Sequence, residues 1–125
     1  MPKWNWLPFR KNWTTRVEFY TKTLPTFIVN IYIAGRDEVT HPLLAKYCLD
    51  NKICFSLDNV DFPYAGGEQH GFRIGIINYP RFPRGEAELS EMAIALTKHM
   101  IEKTHQISAT VVGPKETTYI SRDPD

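Results

Sequence analysis

Apolar and polar positions change period several times along the chain, and each change marks an element. TFIVNIYIAG (Thr26–Gly35) is β-branched and apolar, too short for a helix in this setting, and reads as a buried strand. RDE breaks it. THPLLAKYCLDNK then opens with Thr40 as N-cap and Pro42 in the first turn, and Leu43, Leu44, Tyr47 and Cys48 follow at helical spacing. ICFSL (Ile53–Leu57) predicts a second strand and FRIGIINY (Phe72–Tyr79) a third. GEAELSEMAIALTKHMIEKT predicts a long helix with Leu89, Met92, Ala93, Leu96 and Met100 on one face. Its acids sit early and Lys98 and Lys103 late, matching the helix dipole. QISATVV predicts a fourth strand, GPKE a turn, and TTYIS a short fifth strand pairing back.

The order β-α-β-β-α-β with a C-terminal hairpin strand is the split βαβ, or ferredoxin-like, plan of the α+β class. It implies an antiparallel sheet of strand order 4-1-3-2, with both helices on one face. Alternation then assigns the core. Phe27, Val29, Ile31 and Ile33 face the helices from the first strand, and Ile53, Phe55 and Leu57 from the second. Phe72, Ile74 and Ile76 do so from the third, and Ile107, Ala109 and Val111 from the fourth. The alternate positions are mixed. They include Ile28, Asn30, Tyr32, Arg73, Ile77, Tyr79 and Val112 on one uncovered face. An uncovered face of this kind either packs against another copy or carries a ligand.

At 125 residues the chain is long enough for one domain with a sizeable core. A net charge of +1 argues against a general nucleic-acid binder. No apolar run is long enough to span a membrane, and no secretory leader is read at the N-terminus. Cys48 and Cys54 read as two reduced, half-buried thiols of a cytoplasmic protein rather than a disulfide framework. The charge is uneven, however. Lys3, Arg10, Lys11, Arg16 and Lys22 stand against Glu18 alone in residues 1–24, whereas residues 25–125 hold a small acidic excess. The chain therefore divides into a basic, tryptophan-rich arm (1–24) and a single domain (25–125). Trp4, Trp6 and Trp13 in the arm suit an interface anchor better than a membrane contact, because two prolines interrupt any amphipathic helix.

Three further stretches raise chemistry. NYPRFPRGEAEL sets Arg81 and Arg84 around Phe82 and leads through Gly85 into the second helix. This elbow suits an anion site, with Tyr79, Arg73, Asn30 and Tyr32 as further ligand-binding candidates on the open face. The bland alternative is a rigid connector with solvated arginines. GGEQHG, with Gly66, Gly67 and Gly71, reads as a hairpin loop; Glu68, His70 and His41 match no strong metal motif. An RNA-recognition platform on the sheet would need Phe72 and Ile74 turned outward, the reverse of the core-consistent register. No GxSxG, Walker or Cys–His signature is present, and no cofactor or metal is implied.

The segments TFIVNIYIAG, YCLDNKICFSL, YAGGE, GFRIGIINYPRFP and VVGPKETTYIS resemble short proteins of tailed phages and prophages over residues 25–121, most specifically at INYPRFP. That group carries no assigned activity. The resemblance implies a cytoplasmic protein of an infected bacterium that binds a host protein or a host signal. Together these readings give a non-enzymatic, homo-oligomeric binding module for an anionic, nucleotide-like small molecule or a host protein. Its interface would use Ile28, Tyr32, Ile77 and Tyr79 with the arm tryptophans. The first alternative is a small isomerase or tautomerase, with a base among His41, Glu68, His70 and Cys54. The second is a single-stranded nucleic-acid binder.

Overall fold

The computed structural model describes residues 17–124. Its elements run β1 (Ile28–Ala34), α1 (Asp37–Asn51), β2 (Ser56–Tyr64), β3 (Gly67–Ile77), α2 (Glu86–Lys103), β4 (Ser108–Val112) and β5 (Thr117–Ser121). All neighbouring strands are antiparallel, in the order β2-β3-β1-β4-β5. This is the expected α+β, ferredoxin-like arrangement, with β5 as the hairpin partner of β4.

The core follows the alternation. Val29, Ile31 and Ile33 of β1, Phe72, Ile74 and Ile76 of β3, and Ala109 and Val111 of β4 are buried against Leu89, Ala93, Leu96 and Met100 of α2. Helix α1 contributes Leu44, with Leu43, Tyr47 and Cys48 packed at the margin. Phe27, Ile53 and Leu57 are half-buried at the rim. Ile107 is a correction: it precedes β4, follows the left-handed His105 (φ 59°), and is 62% exposed. The register that buries Phe72 and Ile74 and exposes Arg73 is the one read from the sequence.

Three boundaries differ from expectation. Helix α1 begins at Asp37, so Thr40 is no N-cap; its side chain is buried in the first turn, and Oγ1 has no partner among the described residues. Strand β2 starts after Ile53, Cys54 and Phe55 and continues to Tyr64. Strand β3 starts at Gly67, so the expected glycine loop is a tight turn between Tyr64 and Gly67, with Gly66 at φ +97°. The whole GEQHG stretch is ladder. Gly71 serves packing there rather than the turn: a Cβ would lie 2.4 Å from the Ile33 carbonyl oxygen and 2.6 Å from the Phe62 ring. The sequence hides this ribbon because most of its side chains are exposed, so no period-2 hydrophobic signal arises. Pro63 is tolerated because β2 is an edge strand.

Candidate functional site

The stretch after β3 builds one side of a partly apolar concavity. Tyr79-Pro80-Arg81-Phe82 closes a turn in which the Phe82 N–H donates to the Tyr79 carbonyl (2.9 Å), with Pro80 pre-setting the second position. Asn78 fastens this elbow from three sides. Its N–H donates to the Phe27 carbonyl (3.2 Å), its Nδ2 donates to the Pro25 carbonyl (2.9 Å), and its Oδ1 accepts the Arg84 N–H (2.9 Å). The end of the N-terminal segment, the end of β3 and the approach to α2 are thereby tied at one point. Asn78 was not among the sequence candidates. Its one signal is its place immediately before a proline turn, where an Asn side chain commonly bonds nearby backbone.

Between this elbow and the α1–β2 connection lies a cavity of about 270 Å³. Ile53, Ile76, Leu89 and Met92 give it an apolar wall; Lys52, Cys54, Tyr79, Phe82 and Arg84 bring thiol, phenol, ring and cations. The Cys54 thiol donates a long bond to the Tyr79 hydroxyl (Sγ–Oη 3.9 Å), which leaves the phenol's own proton available. Burial, and then the neighbouring Cys54, push the Tyr79 pKa up to about 12. Cys48, close behind, is also pushed up, chiefly by burial, against a backbone hydrogen bond from Phe55 that lowers it. Both groups are thus held protonated. The Arg84 guanidinium donates to Glu88 (2.7 Å), so its charge is already balanced. A more open groove of about 770 Å³ runs on from Lys52 and Cys54 along α1 and β2, past His41, Leu44, Cys48, Phe55 and Leu57.

The sequence candidates divide between two places. Tyr79, Ile77 and Arg84 line the cavity; Tyr79, expected on the uncovered face, lies beyond the end of β3, where alternation no longer applies, and packs against the core instead, whereas Arg81 is exposed outside the lining. Gly85 caps α2 in ordinary extended backbone (φ −75°), and no atom lies within 4 Å of a Cβ placed there. Glu86 and Glu88 in the first turn of α2 work against an anion at this helix start. Asn30, Tyr32 and Arg73 lie on the uncovered sheet face. There the register aligns Asp58, Arg73, Tyr32, Thr110 and Tyr119 in one row across all five strands. Arg73 is engaged by Asp58 through both Nε (3.1 Å) and Nη2, and this pairing raises its pKa further. Ile28 and Ile77 pair on the same face at 48% and 42% exposure, separated from that row by the Asn30–Gly75 pair. Trp4, Trp6 and Trp13 lie outside the described residues. His41 sits on α1, while Glu68 and His70 sit on the β2–β3 ribbon, where His70 meets Asp61 (3.1 Å). No metal-ligating cluster of three occurs among the described residues. No helix among them is long and apolar enough to cross a membrane.

No family model matches the sequence, and no curated protein does. The fold, by contrast, matches the solved structure of a phage SAM lyase in complex with S-methyl-5'-thioadenosine. The TM-score is 0.59 at 14% identity, covering 86% of this chain and 99% of that one. The resemblance to phage proteins thus has a counterpart at the level of fold. The expectation of a non-enzymatic binding module is corrected by this finding: the protein that shares the fold over nearly its whole length is an enzyme, so the enzyme alternative agrees with it better.

Proposed function

We propose that the chain is a small enzyme of the lyase kind that acts on a sulfonium nucleoside such as S-adenosylmethionine, using the elbow cavity. The observation that carries this reading is the fold match, over 86% of this chain, to a phage SAM lyase holding a nucleoside thioether. The cavity supports it independently. At about 270 Å³ it lies near the lower bound for ligand pockets, about 300 Å³, and suits a nucleoside rather than a larger cofactor. Its apolar wall suits a purine, the protonated Tyr79 supplies a hydrogen-bond donor, and the faces of Tyr79 and Phe82 offer the electron density that a sulfonium cation seeks.

The chemistry also accounts for the lack of a catalytic motif. A sulfonium carries its own neutral leaving group. When the arm's own carboxylate oxygen attacks the arm carbon bonded to sulfur, a C–O bond closes a lactone as the C–S bond breaks; the electron pair of that bond returns to sulfur, the positive charge there is lost, and no acid is required at the departing atom. The work left to the protein is positioning and exclusion of water, which apolar walls and a stapled elbow perform. The tautomerase form of the enzyme alternative has less support. It needs a base tuned near neutrality, while the two shifted groups here, Tyr79 and Cys48, move toward their protonated forms.

Incubation of the full chain with S-adenosylmethionine should release S-methyl-5'-thioadenosine, read by chromatography. Tyr79→Ala with Phe82→Ala should lower the rate at least about tenfold, as loss of about 1.4 kcal/mol of transition-state stabilisation requires. A wild-type protein that releases no thioether nucleoside sinks the lyase reading. An undiminished rate in the double variant removes the cavity from it.

A further inference from the structure

The cavity holds one cation with no carboxylate of its own. Arg84 is balanced by Glu88. Lys52 lines the same cavity and makes no ion pair among the described residues. Its backbone is also unusual. Lys52 closes α1 in the left-handed conformation (φ 55°, ψ 47°), with its N–H donating to the Cys48 carbonyl. Glycine or asparagine is the unstrained choice at such a helix end, and a longer side chain there costs on the order of 1 kcal/mol. That backbone fixes the root of the side chain where the helix stops and the cavity begins. Ile53, whose N–H donates to the same Cys48 carbonyl (3.1 Å), and Cys54 continue directly into the lining.

An ammonium in this position has a specific use if the cavity takes a nucleoside with an amino-acid arm. We infer that Lys52 is the carboxylate-recognition residue of the site: its Nζ binds the α-carboxylate of the arm that extends from the nucleoside sulfur. The inference rests on the functional reading above and adds what selects the arm. The nucleoside is held by the apolar wall and the Tyr79–Phe82 rings, and the arm is held by Lys52. The local charge fits. A second cation beside the sulfonium would be repulsive, whereas a carboxylate between them satisfies both. A lysine serves here as a point charge, so one flexible cation can follow the carboxylate as the C–S bond breaks.

Two unreactive thioethers separate the two parts of the site. S-methyl-5'-thioadenosine carries the nucleoside without the arm, and S-adenosylhomocysteine carries both, each with an uncharged sulfur. Calorimetric titration of both into wild-type, Lys52→Met and Lys52→Arg proteins gives the answer, with melting temperatures checking that each variant is folded. Lys52→Met should weaken S-adenosylhomocysteine about ten- to hundredfold, the worth of a hydrogen bond to a charged group. S-methyl-5'-thioadenosine should bind as before, and Lys52→Arg should restore most of the loss. Equal weakening of both ligands, or of neither, overturns the role of Lys52 while leaving the nucleoside site standing. A wild-type protein that binds neither ligand overturns the functional reading and this inference with it.

Discussion

Tyr79 carries a phenol that keeps its proton at any physiological pH, and the consequence is measurable. Its pKa of about 12 in the fold stands above the ordinary value of 10, because half-burial first, and Cys54 second, disfavour the phenolate. Between those two values the folded protein binds more protons than the unfolded chain. Stability from this group is therefore fully present below about pH 10 and is lost as the pH rises toward 12. Melting temperatures measured from pH 8.5 to 11.5 should fall less steeply at the alkaline end for Tyr79→Phe than for the wild type. Parallel curves would mean that the phenol titrates as an exposed one. Tyr79 and Arg84 were legible as site candidates because proline and arginine mark their connector. Asn78, Lys52 and Gly71 were not. Asn78 acts through contacts with Pro25 and Phe27, far away in sequence, Lys52 through a helix end whose conformation no local pattern announces, and Gly71 through a close approach from the neighbouring strands.

Among the elements, those whose pattern reports burial were read closely. Helix α2 and the β1 and β3 cores follow from apolar residues spaced for one wet and one dry side, and the strand order follows from the element order. The far half of the β2–β3 ribbon carries no such signal because it has no dry side, and the start of β4 carries a false one because Ile107 looks like core yet precedes the strand. The uncovered sheet face leads to a second prediction. Ile28 and Ile77 lie side by side there, half-exposed, and on the same face Tyr119, at 64% exposure, ends the row of Tyr32 and Arg73. Such a face is expected to be covered by another copy of the chain. Sedimentation at micromolar concentration should show an oligomer, and Tyr32→Glu with Ile77→Glu should give folded monomers. A wild type that sediments as a monomer contradicts this.

At the scale of the molecule, a split βαβ sheet leaves two surfaces for function: the bare face, and the end where the α1–β2 connection meets the elbow after β3. The sequence readings spread the ligand candidates over both, because a single chain of letters does not say which of them converge. The structure separates them. Asn30, Tyr32 and Arg73 stay on the bare face, while Tyr79 and Arg84 join Lys52, Cys54 and Phe82 around an apolar cavity. Whether this cavity is the nucleoside site is decided by mapping S-methyl-5'-thioadenosine onto the protein by NMR. Saturating ligand should shift the resonances of Cys54, Tyr79, Phe82 and the Met92 methyl, and show nuclear Overhauser contacts from the purine to Ile76 or Leu89. Shifts confined to Tyr32, Arg73 and Tyr119, or no shifts at millimolar ligand, would contradict that assignment.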